Sequence, residues 1–227
     1  MSKVWLVSDL HLGHKNICKY RPEFRFPEEH NHTIAENLFQ PLSKRDTIYL
    51  LGDICFSKDW AWIYKKLVDE VASVHLVIGN HDSENAERQS ILKEAINAGV
   101  KMHSLVSYKG CWLSHAPLHP DELRGKYCIH GHMHRQLLPD TRYANVCVEH
   151  TNWAPILFTD VKARLDRGNS FRPPWGMASV PEGATHWDSK HSRFVNKHWF
   201  WNDCGVACPH KEYFEVSDSR YIKVALS

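Results

Sequence analysis

Three short apolar runs mark the first third of the chain, and each ends in polar residues. "KVWLVSD" closes on Asp9, "RDTIYLLGD" on Gly52-Asp53, and "SVHLVIGNHD" on Asn80-His81-Asp82. A continuous apolar run bounded by polar residues reads as a strand buried on both faces. Between the second and third runs, "KDWAWIYKKLVDEVA" carries apolar residues at helical spacing; "SENAERQSILKEAINAGV" follows the third and stops at Gly99. Strands alternating with helices predict an α/β core. In such sheets the functional residues gather beyond the C-terminal ends of the strands.

The rhythm then changes. "HSLVSYKGCWLSHAP", "YCIHGHMH" and "RYANVCVEH" read as strands joined by loops, which predicts a second sheet or an antiparallel extension. "ILFTDVKARLDRG" reads as a closing helix. Residues 168 to 183 hold three prolines and three glycines and read as a linker. The rest of the chain, residues 184 to 227, is rich in Trp, Phe and His and reads as short strands with a turn near Asn202-Asp203.

Composition narrows the class. At 43% hydrophobic and 24% charged residues, the chain matches ordinary globular material. Its formal charge of +2 gives no nucleic-acid signature by itself. The "MSKVWLVSDLHLGH" start reads as a first strand rather than a signal peptide. No apolar stretch reaches the ~18 residues of a membrane span. Seven cysteines, an odd number without a paired framework, point to a reducing, cytoplasmic setting.

Seventeen histidines are many for 227 residues, and several fall at the strand ends. Asp9-x-His11, Asp53, Asn80-His81, Ser114-His115 and His132-x-His134 collect there. If those segments are extended, Asp9 and His11 share a side, as do His132 and His134, because side chains alternate with period two. Carboxylate, amide and imidazole donors together suit Mn, Fe, Zn or Ni. Asp9-x-His11 or Gly52-Asp53 alone is weak, and the Asn80-His81-Asp82 and His132-x-His134 motifs are moderately specific; all five in order, each after an apolar run, are specific.

The series Asp9-x-His11, Gly52-Asp53, Gly79-Asn80-His81-Asp82, Ser114-His115 and Gly131-His132-x-His134 resembles the calcineurin-like metallophosphoesterase superfamily, over roughly residues 3 to 165. "SDLHLGHKNICKYRP" with "LGDICF" resembles a subgroup of small bacterial and phage phosphoesterases. The resemblance implies an α/β/β/α sandwich with two mixed sheets and two divalent ions, Mn foremost. One ion would take Asp9, His11, Asp53 and His134, and the other Asp53, Asn80, His115 and His132, with Asp53 bridging. It implies hydrolysis of a phosphomonoester or phosphodiester, of a nucleotide or nucleic acid among other candidates, by a metal-bridging hydroxide. His81 would stand beside the ions and give the leaving oxygen its proton.

Around that set, Asp82 either holds the His81 ring or lies on the surface. His14 could meet the phosphate, and Lys15 reads as a solvated charge. His130 reads as a hydrogen-bonded histidine behind the ligands. Arg21, Arg25 and Arg45 lie in or after a long insert, "KYRPEFRFPEEHNHT", that could cap the site. The Trp-Asn pair usual after this insert in the subgroup is absent from "ENLFQPLSKRDT". The expected organisation is a phosphoesterase domain over 1 to 167, the linker, and a C-terminal β module from 184. Trp187, Trp199 and Trp201 offer either an interaction surface or a small core. Cys204, Cys208 and His210, with His198, read either as a zinc site or as thiols on a turn. The rival reading is a binding protein on a phosphoesterase fold that has lost catalysis.

Overall fold

The computed structural model describes residues 2–168 throughout, and beyond them the backbone of five short strands at 186–188, 193–195, 199–201, 207–209 and 221–223. The three apolar runs form β1 (Val4–Val7), β2 (Thr47–Leu50) and β3 (Ser73–Val77), which pair in parallel. β4 (Lys101–His103) joins them in parallel. The next strands are β5 (Val106–Tyr108), β6 (Cys111–Ser114), β7 (Tyr127–His130) and β8 (Tyr143–Asn145). These form a second mixed sheet in the order β5-β6-β7-β8. β9 (Ile156–Leu157) runs back antiparallel to β1 and completes the first sheet, β4-β3-β2-β1-β9.

Alternation along each strand decides what lies on either side. Trp5, Val7, Ile48, Leu50, Val74 and Leu76 face a core shared with α1 (Pro27–Phe39), α2 (Trp62–Glu70) and α3 (Ala86–Ala98). Leu6, Tyr49, Leu51 and Val77 face the other way, into a core shared with Leu113, Ile129 and Ala144 of the second sheet. α4 (Phe158–Asp166) adds Phe158, Val161 and Leu165 to that inter-sheet core. The far face of the second sheet packs Cys128 and Tyr143 with Leu123 from a single 3-10 turn at Pro120–Leu123. The expected two mixed sheets with helices are present.

The insert after β1 is not only a loop, because half of it is α1. Pro27 starts this helix with its φ already suitable, and Glu28 and Glu29 sit in the first turn, where the helix dipole favours anions. The helix is hard to read from the sequence because two of its buried positions hold His30 and Asn31.

At the far end, β10 (His186–Asp188), β11 (Arg193–Val195), β12 (Trp199–Trp201), β13 (Ala207–Pro209) and β14 (Tyr221–Lys223) form an antiparallel sheet in the order β13-β12-β11-β10-β14. The expected turn at Asn202-Asp203 and the linker from 169 lie outside the described residues. So do the side chains of the Cys204, Cys208, His210 and His198 zinc alternative and of the three tail tryptophans. Among the described residues, no helix is long and apolar enough to cross a membrane.

Candidate metal centre

The candidate ligands leave the strands before they reach the site. β1 ends at Val7 and β7 at His130. Asp9, His11, Asp53, His132 and His134 all have φ between 47° and 67°. This left-handed region is strained for residues with a side chain, and such residues cluster at functional sites. The period-two expectation for Asp9-x-His11 and His132-x-His134 is therefore corrected: both members of each pair have left-handed backbone, and this rather than the pleat aims their side chains. Glycine lets these loops fit together. A Cβ on Gly131 would collide with Ser8 and Asp9, and one on Gly79 with the Asp53 carboxylate.

Donor atoms of Asp9, His11 and His134 lie within 4.8 Å of one another, as do those of Asp9, Asp53 and His115. Asp9 Oδ2 accepts from Ser8 Oγ (2.5 Å), the His132 backbone N (2.9 Å) and Cys147 Sγ (3.1 Å). Its Oδ1 is buried without a hydrogen-bond partner, 3.5 Å from His11 Nε2, which also lacks one. Asp53 Oδ1 accepts from the His81 backbone N (3.0 Å). Its Oδ2 lies 3.9 Å from His11 Nε2 and 3.3 Å from His115 Nε2, between the two groups.

His115 Nδ1 lies 2.7 Å from the Leu51 carbonyl and can donate there, leaving Nε2 as a lone pair on the neutral ring. That Nε2 faces Asn80 Oδ1 at 2.9 Å and His132 Nδ1 at 3.2 Å, besides Asp53 Oδ2. His132 Nδ1 is also 2.9 Å from Asn80 Oδ1. Acceptors this close repel one another unless a proton or a cation stands between them. Burial pushes the His115 pKa down, but the hydrogen bond and charge of Asp53, with Asp9 behind, outweigh it and raise the value to about 9. The pocket thus attracts positive charge, and a divalent ion would take the proton's place. The orphaned atoms of Asp9 and His11 and this donor set fit metal ions.

His11 itself is pushed down to about 4, chiefly by burial, which keeps its ring neutral for ligation. Asp9 stays well below the usual carboxylate range: burial opposes ionisation, but the surrounding imidazoles of His11, His115 and His134 prevail.

His81 stands beside this set, its ring 6.1 Å from that of His11 and 5.2 Å from that of Phe56. Its Nδ1 lies 2.9 Å from Glu84 Oε2. The alternatives for Asp82 are thereby corrected: it neither holds that ring nor lies on the surface. Asp82 is buried and accepts from the backbone N of Gly79 (2.7 Å), Asp53 (3.0 Å) and Ile54 (3.3 Å), so its carboxylate bonds the two ligand loops together. His130 is buried, with Nδ1 2.8 Å from the Gly131 carbonyl. His14 lines the cleft. Lys15, Arg25 and Arg45 are exposed. Arg21 is not a capping residue at all; it is fully buried and ion-paired to Glu149.

Motif reading missed Glu149, Glu84 and Phe56. Phe56 stacks on the His11 ring at 4.5 Å. The only cue for it was its place in "LGDICF". Glu149, in "NVCVEH", follows an apolar run as the ligands do, but no spacing motif marks it. An open cleft of about 870 Å³ lies over the candidate ligands. Ile17 and Tyr20 line it from the insert, and Met133, Arg135 and Gln136 from the loop after β7. Arg135 pairs with Glu23, tying the two walls together.

Comparisons with known proteins place the chain in a family. The family model described as calcineurin-like phosphoesterase superfamily domain matches residues 2–148. The uncharacterized protein MJ1445 of Methanocaldococcus jannaschii is 30% identical over 185 residues, 76% of this chain and 96% of that one. The gene 66 protein of Mycobacterium phage L5 is 28% identical over 166 residues, covering 61% and 80%. Among solved structures, the protein of unknown function AQ665 from Aquifex aeolicus aligns with a TM-score of 0.55 at 25% identity, covering 72% of this chain and 99% of that one. The family match spans every candidate ligand loop from Asp9 to His134, so the chain belongs to the calcineurin-like phosphoesterase superfamily and is a metal-dependent phosphoric ester hydrolase.

Proposed function

We propose that this chain hydrolyses phosphodiesters of nucleotide type at a two-ion centre. Asp9, His11, Asp53 and His134 would hold one ion, and Asp53, Asn80, His115 and His132 the other. The observation that carries this is Asp53 Oδ2, which faces His11 Nε2 and His115 Nε2 at once. Two divalent ions there, Mn best suited to the mixed donors, would polarise phosphoryl oxygens and supply a water of lowered pKa. The chain's own residues do the rest. His81, fixed through its backbone to Asp53 and through its ring to Glu84, gives the leaving oxygen a proton. His14 meets the non-bridging phosphoryl oxygens.

The nucleotide reading is supported by the cleft. It exceeds what a bare phosphate needs, and Tyr20 is 69% exposed on its wall. Ring-to-ring steps of 6.0 Å and 6.1 Å lead from His11 through His14 to Tyr20, a path suited to a phosphate at one end and a stacked base at the other. The exposed Gln136 can read the base edge. The described cysteines Cys18, Cys55, Cys111, Cys128 and Cys147 are free thiols, in keeping with a reducing cytoplasm.

The test compares thymidine 5′-(4-nitrophenyl) phosphate with ethyl 4-nitrophenyl phosphate on the Mn-loaded full chain. The nucleoside ester should show the higher kcat/KM, and Tyr20→Ala should erase most of that advantage. No turnover of any ester by chain carrying both ions would favour the binding-protein reading. Equal kcat/KM on the two esters would remove the nucleotide preference alone.

A further inference from the structure

Arg21 and Glu149 are the most enclosed ion pair among the described residues, with side-chain exposures of 0% and 3%. A buried pair is poor evidence for stability, since taking both charges out of water offsets most of their attraction. The contacts of this pair point elsewhere. Arg21 Nη2 donates to the Asp9 carbonyl (2.6 Å) and Nη1 to the Leu10 carbonyl (3.2 Å), the backbone of the first ligand loop. Nη1 also lies 2.7 Å from His30 Nε2 on α1. Nε donates to Glu149 Oε1 at 2.9 Å. The same oxygen lies 2.9 Å from His134 Nδ1.

We infer that Arg21 and Glu149 are positioning residues for the ion held by Asp9, His11 and His134. Glu149 accepts the Nδ1 proton of His134 and so fixes the tautomer whose Nε2 lone pair faces Asp9 Oδ1, 3.9 Å away. Arg21 pairs with the Glu149 carboxylate and, through the Asp9 and Leu10 carbonyls, holds the backbone at Asp9, whose φ is 59°. One guanidinium thereby sets two of the ion's ligands, which come from opposite ends of the domain. The segment carrying Arg21 builds the site from beneath. The inference rests on the two-ion reading above.

The experiment uses the ion-free full chain. Mn binding is followed by calorimetry, and the His134 tautomer by ¹⁵N NMR. Wild type is measured first: fewer than two bound ions would sink the two-ion reading, while the tautomer comparison still tests the role of Glu149. The double variant Arg21→Met/Glu149→Leu leaves no orphaned charge. It should keep a melting temperature near that of wild type and hold one ion normally, but bind the other roughly 10–100-fold more weakly, the usual range for residues that orient a metal ligand. Glu149→Gln keeps the volume and removes only the charge, so it serves if the double variant does not fold. It should raise the Nε2–H form of His134 and weaken the same ion. Unchanged affinity for both ions with an unchanged tautomer, in either folded variant, would reduce the pair to a structural contact and overturn the inference.

Discussion

His81 is close to the candidate ligands, and among the described residues its ring makes its polar contact with Glu84. If it is the acid, its loss should fall hardest on esters whose leaving oxygen needs a proton. His81→Ala should therefore keep both ions and lose roughly 10²–10⁴-fold in kcat on an alkyl or nucleoside alkoxide, but far less on a nitrophenyl ester. Steady-state kinetics on matched substrates decides; equal losses would make the ring a charge stabiliser instead. The seven candidate ligands were legible because each follows an apolar run. Glu149 was not, since its partner Arg21 lies 128 positions away and a single acid carries no spacing. His30 was equally hidden. Burial, with Arg21's charge adding to it, pushes its pKa from 6.5 down to about 4. The unfolded chain takes up that proton as pH falls below about 6.5, whereas the folded chain refuses it until about 4. Stability is therefore lost as pH falls through this window, by up to roughly 3 kcal/mol from this group. Urea midpoints from pH 7 to 4.5 should fall more steeply for wild type than for His30→Gln; parallel curves would contradict the assignment.

β1, β2, β3 and β7 were legible as strands, because continuous apolar runs survive as a pattern. What the pattern could not show is how the chain turns after them. Hydrophobic alternation describes a pleat, and five of the seven candidate ligands sit beyond the pleat with left-handed backbone. Ser8 Oγ has its one proton within reach of both Asp9 Oδ2 (2.5 Å) and the Leu51 carbonyl (2.7 Å), so the end of β1 is shaped partly by the end of β2. Gly131 packs against the same pair. Gly131→Ala should drive Asp9 out of place: the chain should still fold, with helical and strand circular dichroism retained, but Mn affinity should fall by at least tenfold. Wild-type affinity would mean that the Ser8–Asp9 contact is slack. The same limit hid α1, whose buried face includes His30 and Asn31.

At the scale of the molecule, the first sheet is buried on both faces, and the second sheet brings His115, His132 and His134 to the ligand loops that follow β1, β2 and β3. Among the described residues, both large cores lie within residues 4–165. Every proposed ligand lies there too, so a chain ending at Gly168 should fold, bind two ions and hydrolyse nitrophenyl esters, with any change confined to substrate choice or assembly. A folded, ion-loaded truncation without activity would show that the C-terminal sheet helps build the site. The proposed chemistry requires that two ions share Asp53. Metal content of the folded full chain, measured by plasma mass spectrometry after Mn loading and beside Asp53→Asn, tests this directly. Two ions per wild-type chain are expected, with both weakened and turnover abolished by the substitution. Full activity with a single equivalent of metal, or an Asp53→Asn chain that still holds two ions tightly, would contradict it.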